Sequence, residues 1–322
     1  MTAELVCDDR TVSAGWFTDF AEREARGVSP VYERLCRAVA GDEEILALLE
    51  TLPAAKRQPN LLLGVVRLLG GPVHDPAAFH AFTVANWAAV EAELLVRATQ
   101  TNEAGRCALL LPALAALPQP LALLEVGAAA GLGLYPDRYR YRFDNGDVIG
   151  ESGPVLDCAL TGAAAPRRLP EVVWRAGLDL NPLDVTDPSD VAWLEALIWP
   201  EHQHRRDRLR AAAAVAAADP PLLRRGDLAD DLPGLAARAP RDATLVVFHT
   251  SVLYQVPSAR RDVFAGVVRQ LPGHWIAVEA PDVLTYDGIP PAPDGRLHNV
   301  LALDGVPLAW TLPHGQGMAW FG

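Results

Sequence analysis

The run Leu121-Ala-Leu-Leu-Glu125-Val-Gly127-Ala-Ala-Ala-Gly131-Leu constrains the fold more than any other stretch of this chain. A short unbroken apolar run suits a parallel strand covered on both faces. The strand ends in a carboxylate, and the pattern predicts a tight glycine turn leading into a helix. Gly127 lets the backbone bend and approach a ligand, and Gly131 lets the helix pack closely on the sheet. The acid is the informative residue. A strand that presents Gly-x-Gly-x-x-Gly to a pyrophosphate meets an anion and has no use for a carboxylate at its tip. Here three alanines follow Gly127, so that pattern is absent, and Glu125 suits a ligand with cationic groups. The competing reading is a structural βα turn in which Glu125 only complements a helix N-terminus.

A chain of 322 residues can bury a full core, as one large α/β domain or two smaller ones. Half its residues are apolar and 21% are charged, which excludes a disordered or fibrous class. A net charge of −12 repels phosphate backbones, so neither a nucleic acid nor an anionic membrane surface is expected as partner. Cys7, Cys36, Cys107 and Cys158 form no Cys-x-x-Cys pair. Neither a disulfide framework nor a zinc site is expected, and a reducing cytoplasm fits. The N-terminus shows no basic segment followed by an apolar one, so no signal peptide is visible. The apolar stretch from Cys107 to Leu124 is interrupted by Pro112, Pro118 and Pro120. It reads as a buried helix, a turn and a central strand rather than a membrane span.

Residues up to about Pro118 carry helical spacing, over Val31 to Ala40, Glu43 to Leu52 and Phe79 to Ala98. Beyond Leu121, strand-like and helical runs alternate, the signature of a parallel sheet with crossover helices. The strands expected are Val172–Leu180, Leu222–Asp227, Thr244–His249 and Trp275–Glu279. Asp187 and Pro188 mark one helix start, the alanine run 211–218 continues a helix from Arg205, and Pro257 opens another to Leu271. Two hairpins are predicted, one turning at Asp144-Asn-Gly-Asp147 and one at Asp304-Gly305. The chain therefore divides into an N-terminal helical region, 1–118, able to act as a lid, and an α/β domain, 119–322, with a hairpin inserted near 134–169.

In a doubly wound sheet the ligand sits outside the carboxyl ends of the strands, where the strand order reverses. Asp179 closes the second strand, where a carboxylate accepts from ribose hydroxyls. Asp227, with Leu228 beside it, closes the third and could accept from an adenine amino group. Phe248 and His249 close the fourth, and His249 is the candidate general base.

This order of motifs looks like that of class I S-adenosylmethionine-dependent methyltransferases over about residues 121–322. The whole chain more closely resembles the bacterial DUF2332 family, whose name means domain of unknown function. The runs carrying that match are Gln100-Thr-Asn-Glu-Ala-Gly-Arg106, Glu125-Val-Gly-Ala-Ala-Ala-Gly-Leu, Asp137-Arg-Tyr-Arg-Tyr, Gly177-Leu-Asp-Leu-Asn-Pro, Trp199-Pro-Glu and Val247-Phe-His-Thr. The methyltransferase resemblance implies a Rossmann-like, mostly parallel sheet with an antiparallel C-terminal hairpin. It further implies S-adenosylmethionine as cofactor and a small-molecule acceptor methylated on oxygen or nitrogen. Glu125, Gly127, Gly131, Asp179, Asp227, Leu228 and Phe248 would hold the cofactor. There are two departures. The ribose acid is expected about 20 residues after the glycine turn, which makes Asp144 the rival of Asp179, although Asp is common in turns for local reasons. The fourth strand also lacks Asn-Pro-Pro-Tyr.

Arg106 could pair with the methionine carboxylate of the cofactor, or belong to a helix start. Trp199 and Tyr254 could line an acceptor pocket or serve the core. His202 and His204 sit on different helix faces beside Arg205 and Arg206, so no metal is expected there. Ser251 lacks a hydrolase elbow. Two alternatives stay open: a protein that binds S-adenosylmethionine or S-adenosylhomocysteine without chemistry, and a nicotinamide-dependent oxidoreductase.

Overall fold

The computed structural model describes residues 9–144 and 146–322. The chain start, where no signal peptide is expected, Cys7, and Asn145 of the anticipated turn lie outside the described residues. Six helices come first: α1 (Asp9–Asp19), α2 (Pro30–Ala40), α3 (Glu43–Glu50), α4 (Pro59–Leu68), α5 (Pro76–Ala85) and α6 (Trp87–Val96). Their starts follow from capping. Ser29 Oγ accepts from Tyr32 N, Asp42 from Ile45 N, and Asp75 from Ala77 N, each satisfying an amide the first turn leaves open. The single helix expected over Phe79 to Ala98 is instead α5 and α6. They part at Asn86, whose side chain donates to the Phe82 carbonyl. A six-residue π-helix, Phe20–Ala25, extends α1.

Helix α7 (Cys107–Ala116) leads into β1 (Leu121–Val126), and among the described residues no strand precedes β1. The others are β2 (Arg140–Phe143), β3 (Val155–Thr161), β4 (Val172–Asp179), β5 (Leu222–Arg225), β6 (Thr244–Thr250), β7 (His274–Glu279), β8 (Asn299–Leu303), β9 (Val306–Thr311) and β10 (Gly317–Trp320). Between them lie α8 (Pro188–Leu197), α9 (Gln203–Ala218), α10 (Leu232–Ala236) and α11 (Ser258–Val268). The described strands form one sheet in the order β2-β3-β10-β9-β8-β7-β6-β1-β4-β5. It is mixed but mostly parallel. From β5 to β7 every pairing is parallel, and the strands are laid to one side of β1 and then to the other. That order puts a topological switch point between β1 and β6. The β8–β9 hairpin turns at Asp304-Gly305, both with positive φ, as the sequence predicts.

Three expectations are corrected. No helix follows Gly131; one 3₁₀ turn, Leu132–Leu134, stands in its place. The Tyr139–Phe143 region is no hairpin. β2 pairs in parallel with β3, leaving only an isolated Tyr141–Ile149 antiparallel bridge, and β3 joins the sheet through β10. The division of the chain also differs from a cut at 118. One compact unit holds the described residues up to Thr101 together with Asp187–Asp207, and the other holds Asn102–Thr186 and Arg208–Gly322. Helix α8 belongs with α4 because Gly64 lets Trp193 and Leu197 close onto it, where a Cβ would stand 3.0 Å from Leu197. Helix α7 is buried on nearly all sides and goes with the sheet.

Side chains alternate between sheet faces. Ala122, Leu124, Val126, Ala176, Leu178, Leu245 and Val247 pack with Leu232 and Leu235 of α10 and Phe264 and Val268 of α11. Their neighbours Glu125, Gly177, Asp179 and Phe248 point to the other face, since Glu125 registers with Gly177 and Phe248. No described helix is long and apolar enough to cross a membrane.

Candidate functional site at the carboxyl edge of the sheet

Glu125, on β1, is 4% exposed in the middle of this edge. Its Oε2 is buried and has no hydrogen-bond partner. Gly133 lies so close that a Cβ there would collide with the carboxylate. On the same side Cys107 Sγ lies 3.4 Å from the Gly133 carbonyl. Burial pushes the Glu125 carboxyl well above the usual carboxylate range; Arg106 opposes that shift and Asp179 adds to it.

Asp179 shares this face and clasps the glycine turn. Its Oδ2 accepts from Ala129 N and its Oδ1 from Asn181 N, both at 2.7 Å. Ala128 then folds over Gly177, where a Cβ would stand 2.6 Å from it. From the other side Asn102 donates to the Ala128 carbonyl at 3.2 Å and accepts from Leu132 N at 3.1 Å. Two residues here hold positive φ without being glycine: Ala129 at 48° after β1 and Ser251 at 53° after β6. Backbone strain of this kind concentrates where a site is pre-organised. It flanks the switch point. Gly127 and Gly131 have φ of 70° and 73°, a conformation that favours glycine at both. The space above Gly127 is filled by Val252, however, and that beside Gly131 by Pro221 and Leu223.

The opposite face carries a different group. His249 is fully buried with Phe264 and Trp275 around its ring. Its Nδ1 lies 2.7 Å from Glu279 Oε1 and its Nε2 accepts from Trp275 Nε1 at 3.0 Å. Both ring nitrogens are engaged in the core, which corrects the expectation that His249 takes a proton from an acceptor. Asp227 also turns to this side. Its Oδ1 accepts from Ala229 N, from Asp230 N and from Arg260 of α11. Burial raises its carboxyl, but Arg260 and those amides outweigh it and hold it below the usual range. Leu228 packs against the α10–α11 core. The four acids and bases expected to converge are therefore divided by the sheet, Glu125 and Asp179 on one face and His249 and Asp227 on the other.

The remaining candidates fall as follows. Phe248 is buried on the Glu125 face. Arg106 is buried, its Nε donating to the Pro313 carbonyl and its Nη1 to Thr250 O, which ties β6 to the 313–315 turn. Tyr254 is exposed just after β6. Trp199 belongs to the helical unit, where it packs against Phe20, Tyr32 and His202 and donates to Asn60. Asp144, the rival ribose ligand, follows the edge strand β2 and accepts from Leu160 N, with six strands between β2 and β1. It is removed from this site. Sequence reasoning missed Asn102, Glu279 and Val252. Asn102 lies within the Gln100–Arg106 run and Glu279 at an expected strand end, with nothing to set either apart, and nothing local marks Val252.

A family described as an uncharacterized protein conserved in bacteria, DUF2332, matches residues 14–320. The chain belongs to that family. No curated protein and no solved structure matches it. In this DUF2332 chain several marker runs act on the backbone around the site. Asn102 ties the 128–132 loop down and Arg106 the 313–315 loop, while Glu103 pairs with Arg208 at 2.8 Å. From the run that starts at Asp137, that carboxylate forms a part-buried pair with Arg175 at 2.7 Å, while the Tyr139 and Tyr141 hydroxyls donate to the Leu132 and Pro136 carbonyls.

Proposed function

We propose that this chain binds S-adenosylmethionine at the carboxyl ends of β1 and β4 and transfers its methyl group to a small-molecule oxygen or nitrogen acceptor. The observation that carries the reading is the Glu125 carboxylate, buried, with Oε2 unpartnered, at the end of a central parallel strand. Such a group is costly to bury alone, and a ligand bearing ammonium and sulfonium charge would compensate it. Asp179 supports the reading from the neighbouring strand, on the same face. The cofactor would supply an electrophilic methyl group. Glu125 would face its cationic end, Asp179 would lie towards the ribose, and the turn held by Asn102 and Asp179 would keep the site rigid. With His249 sealed in the core, this chain's contribution to rate comes from positioning and exclusion of water rather than from that imidazole.

A second reading, binding of S-adenosylmethionine or S-adenosylhomocysteine without turnover, is favoured by the same sealed histidine. Thermal shifts with S-adenosylmethionine, S-adenosylhomocysteine and the two nicotinamide cofactors test both. A ligand at a hundredfold its Kd stabilises by about 2.7 kcal/mol. Stabilisation by the adenosyl compounds and its loss in Glu125→Leu is the expected result. Turnover is then sought by mass spectrometry of candidate acceptors. Stabilisation by a nicotinamide cofactor alone would refute the proposal.

A further inference from the structure

The glycine turn at the switch point is covered by the chain itself. A Cβ on Gly127 would lie 2.5 Å and 2.7 Å from the two γ-methyls of Val252, so in glycine's absence of a side chain Val252 rests directly on the turn. Val252 does not choose this place alone. Ser251 before it takes a left-handed φ of 53°. The amides of Val252 and Leu253 both donate to Glu279 Oε1, at 2.8 and 3.1 Å. The same oxygen is 2.7 Å from His249 Nδ1. Because Trp275 Nε1–H donates to His249 Nε2, the histidine proton must sit on Nδ1, directed at Glu279. One wholly buried carboxylate thus fixes the imidazole and two consecutive amides.

We propose that Val252, set in place by the buried Glu279–His249 pair, is the residue that limits what reaches the glycine turn, with Glu279 as its positioning residue. The proposal rests on the reading that the crevice takes an adenosyl ligand. A ligand that must lie against Gly127 meets the γ-methyls of Val252 first. Its apparent affinity is lowered by the fraction of molecules in which Val252 is displaced. Removing those methyls lifts that penalty. Loosening Glu279 lets the segment move.

The test is calorimetric titration of the full chain with S-adenosylhomocysteine, in wild type, Val252→Ala and Glu279→Gln, with amide hydrogen exchange on each. Val252→Ala is expected to bind about tenfold more tightly, a change of about 1.4 kcal/mol. Glu279→Gln keeps the side chain's shape but replaces charge-assisted hydrogen bonds with neutral ones about half as strong. Exchange should quicken at Val252, Leu253 and the 127–131 turn, while β8 and β9 stay as protected as in wild type. A purely structural Glu279 would instead loosen β8 and β9 as well. If wild type and Val252→Ala bind S-adenosylhomocysteine equally, the proposal is overturned and the adenosyl reading stands. If neither binds it, the adenosyl reading fails and the exchange pattern alone decides: quickening confined to 251–253 and 127–131 upholds Glu279 as the positioning residue, and an unchanged pattern overturns it.

Discussion

Replacing Gly127 by alanine asks two things of the fold at once, and a double-mutant cycle separates them. The first is backbone conformation: φ is 70°, and a left-handed L-residue costs about 1–2 kcal/mol. The second is space, because the new Cβ falls 2.5 Å from a γ-methyl of Val252, and overpacking of this kind costs about 1–3 kcal/mol. Gly127→Ala should therefore lower stability by about 2–5 kcal/mol. Val252 is half-buried, so losing its two γ-methyls should cost about 1 kcal/mol at about 0.8 per fully buried carbon. In Gly127→Ala/Val252→Ala the two γ-methyl clashes are gone, a tight 3.2 Å approach to the remaining Cβ is left, and the φ cost remains. The double variant should be more stable than the sum of the singles by about 1–3 kcal/mol, well beyond the roughly 0.5 within which independent sites add. Urea unfolding followed by tryptophan fluorescence measures all four proteins. Additive losses would mean that Val252 does not press on the turn, and the argument from packing would fall.

Two other outcomes are expected. Burial, with Asp179 adding and Arg106 opposing, raises the Glu125 carboxyl above 4.5, so the folded state holds this proton more tightly than the unfolded chain. The associated stability is complete below about 4.5 and is lost as pH rises through the raised folded value. Glu125→Gln cannot ionise, so the melting temperature of wild type should fall relative to that of the variant as pH rises, and parallel curves would contradict the assignment. Asn102→Ala removes the acceptor of Leu132 N and the donor to Ala128 O. It should cost about 1–3 kcal/mol, with faster exchange concentrated at Leu132; protection unchanged there would show that Asn102 does not hold the loop.

Much of the parallel block was legible because buried strands advertise themselves: β4, β5, β6 and β7 begin within a residue of where apolar runs and β-branched residues place them. The cap Asp187 was an equally local signal. What escaped depends on distant parts of the chain. Val155-Leu-Asp-Cys-Ala-Leu-Thr alternates faces as a strand should, yet its partners β2 and β10 are separated from each other by well over a hundred residues. The helix expected after Gly131 fails because Asn102, Asp179 and Glu125 bind or crowd the 128–133 backbone from outside. Glu125 and Asp179 were recognisable as strand-end acids, but which sheet face each strand-end residue takes follows from register, which sequence pattern leaves open. That is why His249 and Asp227 were placed with them and lie across the sheet.

The pair β2–β3 reaches the rest of the sheet through β10 alone, for β3 is bonded to β10 on one side and β2 on the other. During synthesis, the β10-facing edge of β3 therefore stays unpaired while some hundred and fifty later residues are added, until Gly317–Trp320 arrives. Truncation before Gly317 would leave that edge permanently open to neighbouring chains. Loss of solubility, rather than a local defect, is the form the damage would take.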